Sequence, residues 1–271
     1  MRLNWFSNSP AATTGYGVQT KLFVPRLAKL LDGGISVTAF FGVQSGVLNI
    51  NGIKVYPNFK HPYGQDVIGA HAVWDQADAV ISLLDIWVVQ SENIPMPWFP
   101  WFPIDHEPIP ANVLASARKA TKGIVMSKFG KRMAEQAGLD VWYVPHAVDT
   151  KIFKPLDREE ARDHLEWPQD KFIVGMVAAN KGNPSRKAFY EQIAAFAALH
   201  AAHPDTMLYL HTDDGTHGGE VVNLVKFVNR MGLKIGEDVK FCDQYMYGLG
   251  FPDEYMVDAY NGMDVLTNVA L

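Results

Sequence analysis

The stretch Val144-Pro145-His146-Ala147-Val148-Asp149-Thr150, followed by Phe153-Lys154-Pro155, decides how the sequence is partitioned. Its first half closes an apolar strand and its second half enters a segment, 146–170, with two prolines and a charged stretch at Asp157, Arg158, Glu159, Glu160, Arg162 and Asp163. On either side, short apolar runs alternate with longer amphipathic segments. Before it, strands are expected over Arg2–Ser7, Ser36–Phe41, Ile53–Tyr56, Ala79–Leu83, Pro97–Pro103, Gly123–Met126 and Val141–Val144. Helices are expected over Gly17–Leu31, Ala111–Lys119 and Lys128–Ala137, the first with Val18, Leu22, Phe23, Leu27, Leu30 and Leu31 on its inner face. After it the alternation restarts, with strands over Phe172–Val177, Thr206–His211, Val239–Phe241 and Asp264–Thr267. The helices there are Arg186–Ala202, Gly218–Met231 and Pro252–Tyr260. Strand–helix alternation implies parallel pairing, because parallel neighbours need a crossover. The expected fold is α/β, with two Rossmann-like doubly wound domains, 1–150 and 151–271.

The chain has 271 residues, 48% of them apolar, 12% aromatic and 20% charged. That content excludes disorder, and the single cysteine, Cys242, excludes a disulfide scaffold and fits a reducing, cytoplasmic setting. A net charge of −5 leaves no basic footprint for nucleic acid. The first residues turn polar too early for a signal peptide, and Ala77–Val89 is too short and too acidic to span a bilayer. The sequence ends on the apolar run Val265, Leu266, Val269, Ala270 and Leu271 with no helix after it. A parallel sheet needs both faces covered, so the second domain is expected to be incomplete, as in a fragment.

Four loops carry potential chemistry. Ser7-Asn8-Ser9-Pro10 and Thr13-Thr14-Gly15-Tyr16-Gly17 follow the first strand and open a helix, a geometry in which backbone N–H groups approach phosphate. A plain capped turn explains the same residues, and Thr20 replaces the third glycine of a dinucleotide fingerprint. Trp101-Phe102-Pro103-Ile104-Asp105-His106-Glu107-Pro108 places three ionisable groups at a strand tip. There His106 is suited to move a proton or hold a hydroxyl, unless it is an ordinary loop histidine. Trp98, Phe99 and Trp101 fit either sugar stacking or core. Ala178-Ala179-Asn180-Lys181-Gly182-Asn183-Pro184-Ser185-Arg186-Lys187 brings three cations to a helix start and suits a diphosphate. His211-Thr212-Asp213-Asp214-Gly215-Thr216-His217 matches no zinc spacing and reads as a solvated turn, as no metal site is expected. His146, Asp149 and a buried, inert Cys242 read as structural. A modest basic patch, Lys119–Lys122 with Lys128–Arg132, reads as a solvated face rather than a membrane contact.

Taken together, the Gly17-Val18-Gln19 helix start, Ser127-Lys128-Phe129, the 144–155 signature and the basic loop through Lys187 resemble the retaining, nucleotide-sugar-dependent glycosyltransferases of family 4. The resemblance runs over nearly the whole chain. It implies the GT-B fold, with two domains facing a cleft, acceptor on the first and donor on the second. It implies hexosyl transfer from a UDP-, GDP- or ADP-sugar co-substrate to a glycan, lipid or small-molecule acceptor, without metal or other cofactor. Gly15 and Gly17 fall on the donor-diphosphate loop, His106 on the histidine near the reacting carbon, and Arg186 with Lys187 on the basic pair. Asn180 stands where many members carry arginine, and Ala188 where most have glycine; Lys181-Gly182 offers a second alignment. The family's paired glutamates are expected just beyond the strand 264–267, and this sequence does not contain them. Binding of a nucleotide or sugar without turnover is the alternative. An epimerase, a phosphorylase or a dehydrogenase fits these spacings less well.

Overall fold

Leu3–Ser7 (β1) is buried along its whole length, and its alternate residues serve opposite layers. Trp5 packs in one hydrophobic cluster and Phe6 in another, as a sheet covered on both faces requires. The computed structural model describes residues 1–269 apart from Gln44 and Glu220. It divides into two units, Met1–Val148 and Asp149–Leu271.

In the first unit β1 is followed by α1 (Gly15–Ala28), β2 (Ile35–Ala39), β3 (Leu48–Ile50), β4 (Ile53–Pro57), α2 (Ile68–Trp74) and β5 (Ala79–Leu83). Then come β6 (Trp98–Phe102), α3 (Ala111–Ala117), β7 (Gly123–Val125), α4 (Lys128–Gln136) and β8 (Val141–Tyr143). The sheet order is β3-β4-β2-β1-β5-β6-β7-β8, parallel except for the β3–β4 hairpin. The chain therefore winds outward in both directions from β1, which pairs with β2 on one side and β5 on the other.

The second unit begins with α5 (Arg158–His164), β9 (Phe172–Val177), α6 (Phe189–Ala202), β10 (Thr206–His211) and α7 (Leu224–Arg230). It ends with β11 (Val239–Phe241), α8 (Gln244–Leu249), α9 (Asp253–Gly262) and β12 (Val265–Leu266). Its sheet, β11-β10-β9-β12, is wholly parallel and reverses direction between β9 and β12. Met176, Leu208 and Leu210 face the α6/α7 layer, while Ile173, Met207 and Tyr209 face the α9 layer. Arg162 is 2% exposed and joins the layers, donating to Gly262 O, Gln169 O, Lys171 O and, at 2.6 Å, the Asp264 carboxylate. The edge strand β12 leaves Val265 and Leu266 exposed. Ala270 and Leu271, which end the apolar run noted above, lie outside the described residues.

Several expectations need correction. Val18 and Leu30 are exposed rather than inward; Gln19 and Thr20 are buried instead. Hydrogen bonding decides this face, since Thr20 accepts from the Trp5 indole at 3.0 Å and Gln19 clamps Ala147. The charged stretch after Asp157 is a helix, capped where the Asp157 side chain accepts from Glu160 N–H. α6 starts at Phe189 and not at Arg186, and α7 at Leu224 and not at Gly218. Both starts are delayed by left-handed residues, Ala188 in one case and Gly218 and Gly219 in the other.

Candidate functional site

In open parallel sheets the ligand crevice lies beyond the strands' carboxyl ends, where the winding reverses. In the second unit that place is occupied by the loop between β9 and α6. Gly182 turns it with φ +78°. Ser185 Oγ accepts from Lys187 N–H at 3.3 Å, and Ala188 N–H donates to Ser185 O at 3.0 Å. Ala188 itself adopts φ 49°, ψ 43° as the residue before α6. This is the left-handed conformation glycine tolerates best, so the backbone shape is kept here with an alanine.

The electrostatics of this loop are one-sided. No side chain caps α6, whose N–H groups and helix dipole therefore present positive partial charge. Lys181 and Arg186 are exposed and Lys187 is half-buried. None of the three makes an ion pair among the described residues. Gln192 bridges back to Lys187 O at 2.8 Å, and its Oε1 is buried with no partner.

Asn180 plays a different part from the cations. It is 3% exposed, and its amide nitrogen donates to Asp213 O at 3.1 Å and Val222 O at 2.7 Å. Its Oδ1 accepts from Val222 N–H at 3.1 Å. The side chain thus fastens the β9 loop to the loop after β10 and has no donor left over for a phosphate.

That second loop is stitched by Asx turns. Asp213 Oδ1 accepts from Gly215 N–H, and Asp214 Oδ1 from the Thr216 N–H and hydroxyl. The described residues contain no group of three His, Cys, Asp or Glu side chains placed to share a metal ion. His211 is not part of the turn. It ends β10, 9% exposed, with Nδ1 2.9 Å from the Tyr209 hydroxyl, which lies 3.1 Å from that of Tyr255. The Phe251, Tyr247 and Tyr255 rings surround it, and burial pushes its pKa down to about 4. The signal for this was available: the strand's alternation carries through residue 211. Burial likewise pushes the Cys242 thiol up to about 11, and that thiol is free and buried.

In the first unit the corresponding loop follows β1. Thr14 caps α1, accepting from Gly17 N–H at 3.1 Å, and Asn8 donates to the same hydroxyl. The two glycines differ. A Cβ on Gly17 would stand 2.2 Å from Ala12 O, whereas one on Gly15 would meet nothing within 4 Å. Gly17 is demanded by the loop's own packing; Gly15 faces open space. Tyr16, half-buried beside them, has its phenol pushed up by burial and then by Asp85 and Asp105.

His106 lies in the exposed loop after β6. Its Nδ1 is 2.6 Å from Asp105 Oδ1. A carboxylate only accepts, so Nδ1–H donates and Nε2 is left for another partner. Trp98 and Trp101 are core, their indoles donating to Ser82 Oγ and Val144 O. Phe99 stacks on Trp142 at 5.9 Å. His146 sets its ring edge-on to Trp101 at 5.1 Å, and Asp149 accepts from Lys151 N–H. Downstream, Asn261 of α9 donates to Lys154 O and accepts from Leu156 N–H, so the 144–155 signature anchors chain rather than ligand. The basic patch is partly neutralised in place: Lys122 pairs with Asp140, Lys131 with Glu135 and, at 4.0 Å, Lys119 with Glu92.

No protein-family model and no curated protein sequence matches the chain. Solved structures do match in fold. Sucrose-phosphate synthase from Thermosynechococcus elongatus superposes with a TM-score of 0.74 at 15% identity, over 98% of this chain and 74% of that one. WaaG, a glycosyltransferase involved in lipopolysaccharide biosynthesis, gives 0.68 at 12% identity, over 100% of this chain and 75% of that one. A trehalose-6-phosphate structure from E. coli bound with UDP-2-fluoro glucose gives 0.63 at 12%, over 100% and 78%. The chain spans about three quarters of each. Its two Rossmann-like units have the GT-B fold of these glycosyltransferases.

Proposed function

We propose that this chain is a glycosyltransferase that moves a hexosyl group from a nucleoside diphosphate sugar to a carbohydrate or other hydroxyl acceptor, with retention at the anomeric carbon. The observation that carries the reading is the set of three unpaired cations, Lys181, Arg186 and Lys187, gathered before the uncapped start of α6 at the point where the second sheet reverses. Anions bind at such helix starts, and a diphosphate is long enough to meet the helix and a cation at once. Lys187, half-buried and tied into the turn through its N–H and carbonyl, is the residue we assign to the leaving diphosphate, with Arg186 beside it and Lys181 at the loop's other end. Asn180 positions this loop.

During transfer the bond from the anomeric carbon to the diphosphate oxygen breaks with its electron pair on oxygen, the acceptor hydroxyl oxygen bonds to that carbon on the same face, and the hydroxyl proton passes to the departing diphosphate. Fixed cations and N–H groups stabilise that charge without reorganising, so the nucleotide-sugar serves as co-substrate and the mechanism invokes no further cofactor. Gly15, where an added Cβ would meet nothing within 4 Å, is a residue of the first unit that the resemblance assigns to the donor diphosphate. His106, with Nδ1 held by Asp105, offers Nε2 to a sugar hydroxyl near the reacting carbon. UDP is the base to test first, since one similar structure is bound with UDP-2-fluoro glucose. No described helix is long and apolar enough to cross a membrane. The thiol of Cys242 is free, and a reducing compartment such as the cytoplasm suits it.

The test is turnover of UDP-glucose followed by NMR, with the anomeric configuration of product read directly. Wild-type chain should form product of the donor's configuration, and His106→Ala should cut transfer at least about tenfold while UDP affinity stays the same. Full transfer by His106→Ala would remove that residue from the site. Binding of UDP without any turnover would favour the second reading, a nucleotide-binding chain spanning three quarters of the enzymes it resembles.

A further inference from the structure

We infer that Gln192 is a positioning residue for the donor site: its side-chain amide holds the turn before α6 in a left-handed shape, and that shape sets where Lys187 presents its charge. The inference rests on the reading of Lys187 as the diphosphate's partner and adds the device that places it.

The apolar pattern of the sequence runs a helix back to Arg186, yet α6 begins at Phe189. The break falls at Ala188, with φ 49° and ψ 43° and only 3% exposed. Alanine disfavours this region because its Cβ crowds the following carbonyl, so the surroundings must hold it there. On one side Ala188 N–H donates to Ser185 O at 3.0 Å, and Lys187 N–H to Ser185 Oγ at 3.3 Å. On the other, Gln192 N–H donates to Ala188 O at 3.0 Å and Gln192 Nε2 to Lys187 O at 2.8 Å. Gln192 thus grips two consecutive carbonyls of the turn, one with its backbone and one with its side chain.

The side-chain bond is specific to the turned state. In a helix extended back through Lys187, that carbonyl would accept from Glu191 N–H, four residues on. With Ala188 left-handed it lies off the helical ladder, and the Gln192 amide supplies the donor it would lack. The other end of the amide is unfavourable where it sits, since Oε1 is buried with no donor among the described residues. Methionine would fill a similar shape with equal helix propensity and no such oxygen. Packing alone therefore does not call for glutamine; its bond to Lys187 O does. Losing that bond favours the extended helix, which carries Arg186 and Lys187 on its own surface. It also engages the Tyr190 and Glu191 N–H groups with the carbonyls of those two residues, so cations and free N–H groups both leave the anion's place.

The test compares wild type, Gln192→Met, Ala188→Gly and the double variant, each as the full chain. Calorimetry gives UDP affinity, denaturant unfolding gives stability, and the alanine carbon shifts of isotopically labelled protein give the backbone state of Ala188, whose signal is the one missing in Ala188→Gly. Gln192→Met should weaken UDP binding about fivefold or more without lowering the unfolding midpoint, and should move the Ala188 signal to helical values. Glycine takes the left-handed conformation freely and disfavours helix, so adding Ala188→Gly to Gln192→Met should bring affinity to within about twofold of Ala188→Gly alone. A lower midpoint with unchanged affinity would make Gln192 a packing residue and overturn the inference. So would a loss of affinity that Ala188→Gly does not recover, or an Ala188 signal that Gln192→Met leaves unmoved. Failure of wild type to bind UDP counts against the donor reading, and the Ala188 signal then decides by itself whether Gln192 holds the turn.

Discussion

The loop after β1 and the loop after β9 have the same topology, but the first is uncharged and the second is cationic. Each leaves a central parallel strand where its sheet reverses, and each opens a helix of 14 residues. In the first unit Thr14 caps the helix, and the loop contains no cation. In the second unit the helix is uncapped and three cations precede it. On the proposed reading, shape alone does not set the two loops apart; the second differs in helix N–H groups left without a side-chain cap and in three cations without a carboxylate among the described residues.

The largest expected effect that sharpens this contrast concerns glycine. Gly17→Ala should lower the unfolding free energy by more than about 2 kcal/mol, because the new methyl collides with a backbone carbonyl that cannot move cheaply. Gly15→Ala should leave it unchanged or raised by up to about 0.5 kcal/mol, since alanine suits a helix better, yet should lower transfer. Denaturant unfolding of both variants checks this. Equal destabilisation by both would erase the distinction between a packed and an open glycine.

A second contrast is read in acid. The His211 imidazole is held near pKa 4 in the folded second unit against about 6.5 in an unfolded chain. Between those values the unfolded state binds more protons, so stability rises with pH and is lost as pH falls from about 6.5 toward 4. His71 and His146 in the first unit shift the same way, also through burial, but less. His211→Phe should therefore flatten the slope of stability against pH in this window more than His71→Phe does. Equal slopes from unfolding curves at pH 4.5, 5.5 and 6.5 would contradict the assigned burial.

The smallest effect belongs to Glu191, an exposed carboxylate in the first turn of α6. A negative charge there offsets the helix dipole that would attract a diphosphate, a term of about 0.3–1 kcal/mol. Glu191→Gln should tighten UDP binding by about two- to fivefold, with weaker gain at high salt. Unchanged affinity at low salt would place the diphosphate away from this helix start.

Much of this was legible in the sequence because strand periodicity survives in buried parallel strands. Ala79–Leu83, Phe172–Val177, Thr206–His211 and Val239–Phe241 lie where the apolar runs put them. What escaped was set by single residues acting through geometry. The β3–β4 hairpin turns on Asn51-Gly52, both at positive φ, a turn signal that the short strand Leu48–Ile50 hid. α5 buries only Ala161 and Arg162, so its pattern reads as charged linker although Asp157 and Glu160 mark its cap. At the site, the helix expected from Arg186 fails because Ala188 takes a left-handed conformation, and that frees Arg186 and Lys187 from the helix. Asn180 looked like one more ligand for phosphate, and only its three hydrogen bonds to backbone show that it braces the loop.

The most direct test of the central claim is a calorimetric titration of the chain with UDP, comparing Lys187→Ala with Lys171→Ala. Lys171 precedes the opposite end of β9, its ammonium donating to Glu237 O, so it shares the strand but not the loop. The account predicts micromolar binding to wild type, unchanged in Lys171→Ala and weakened about tenfold or more in Lys187→Ala. Equal affinities for the two variants, or no binding to a folded wild-type chain, would contradict it.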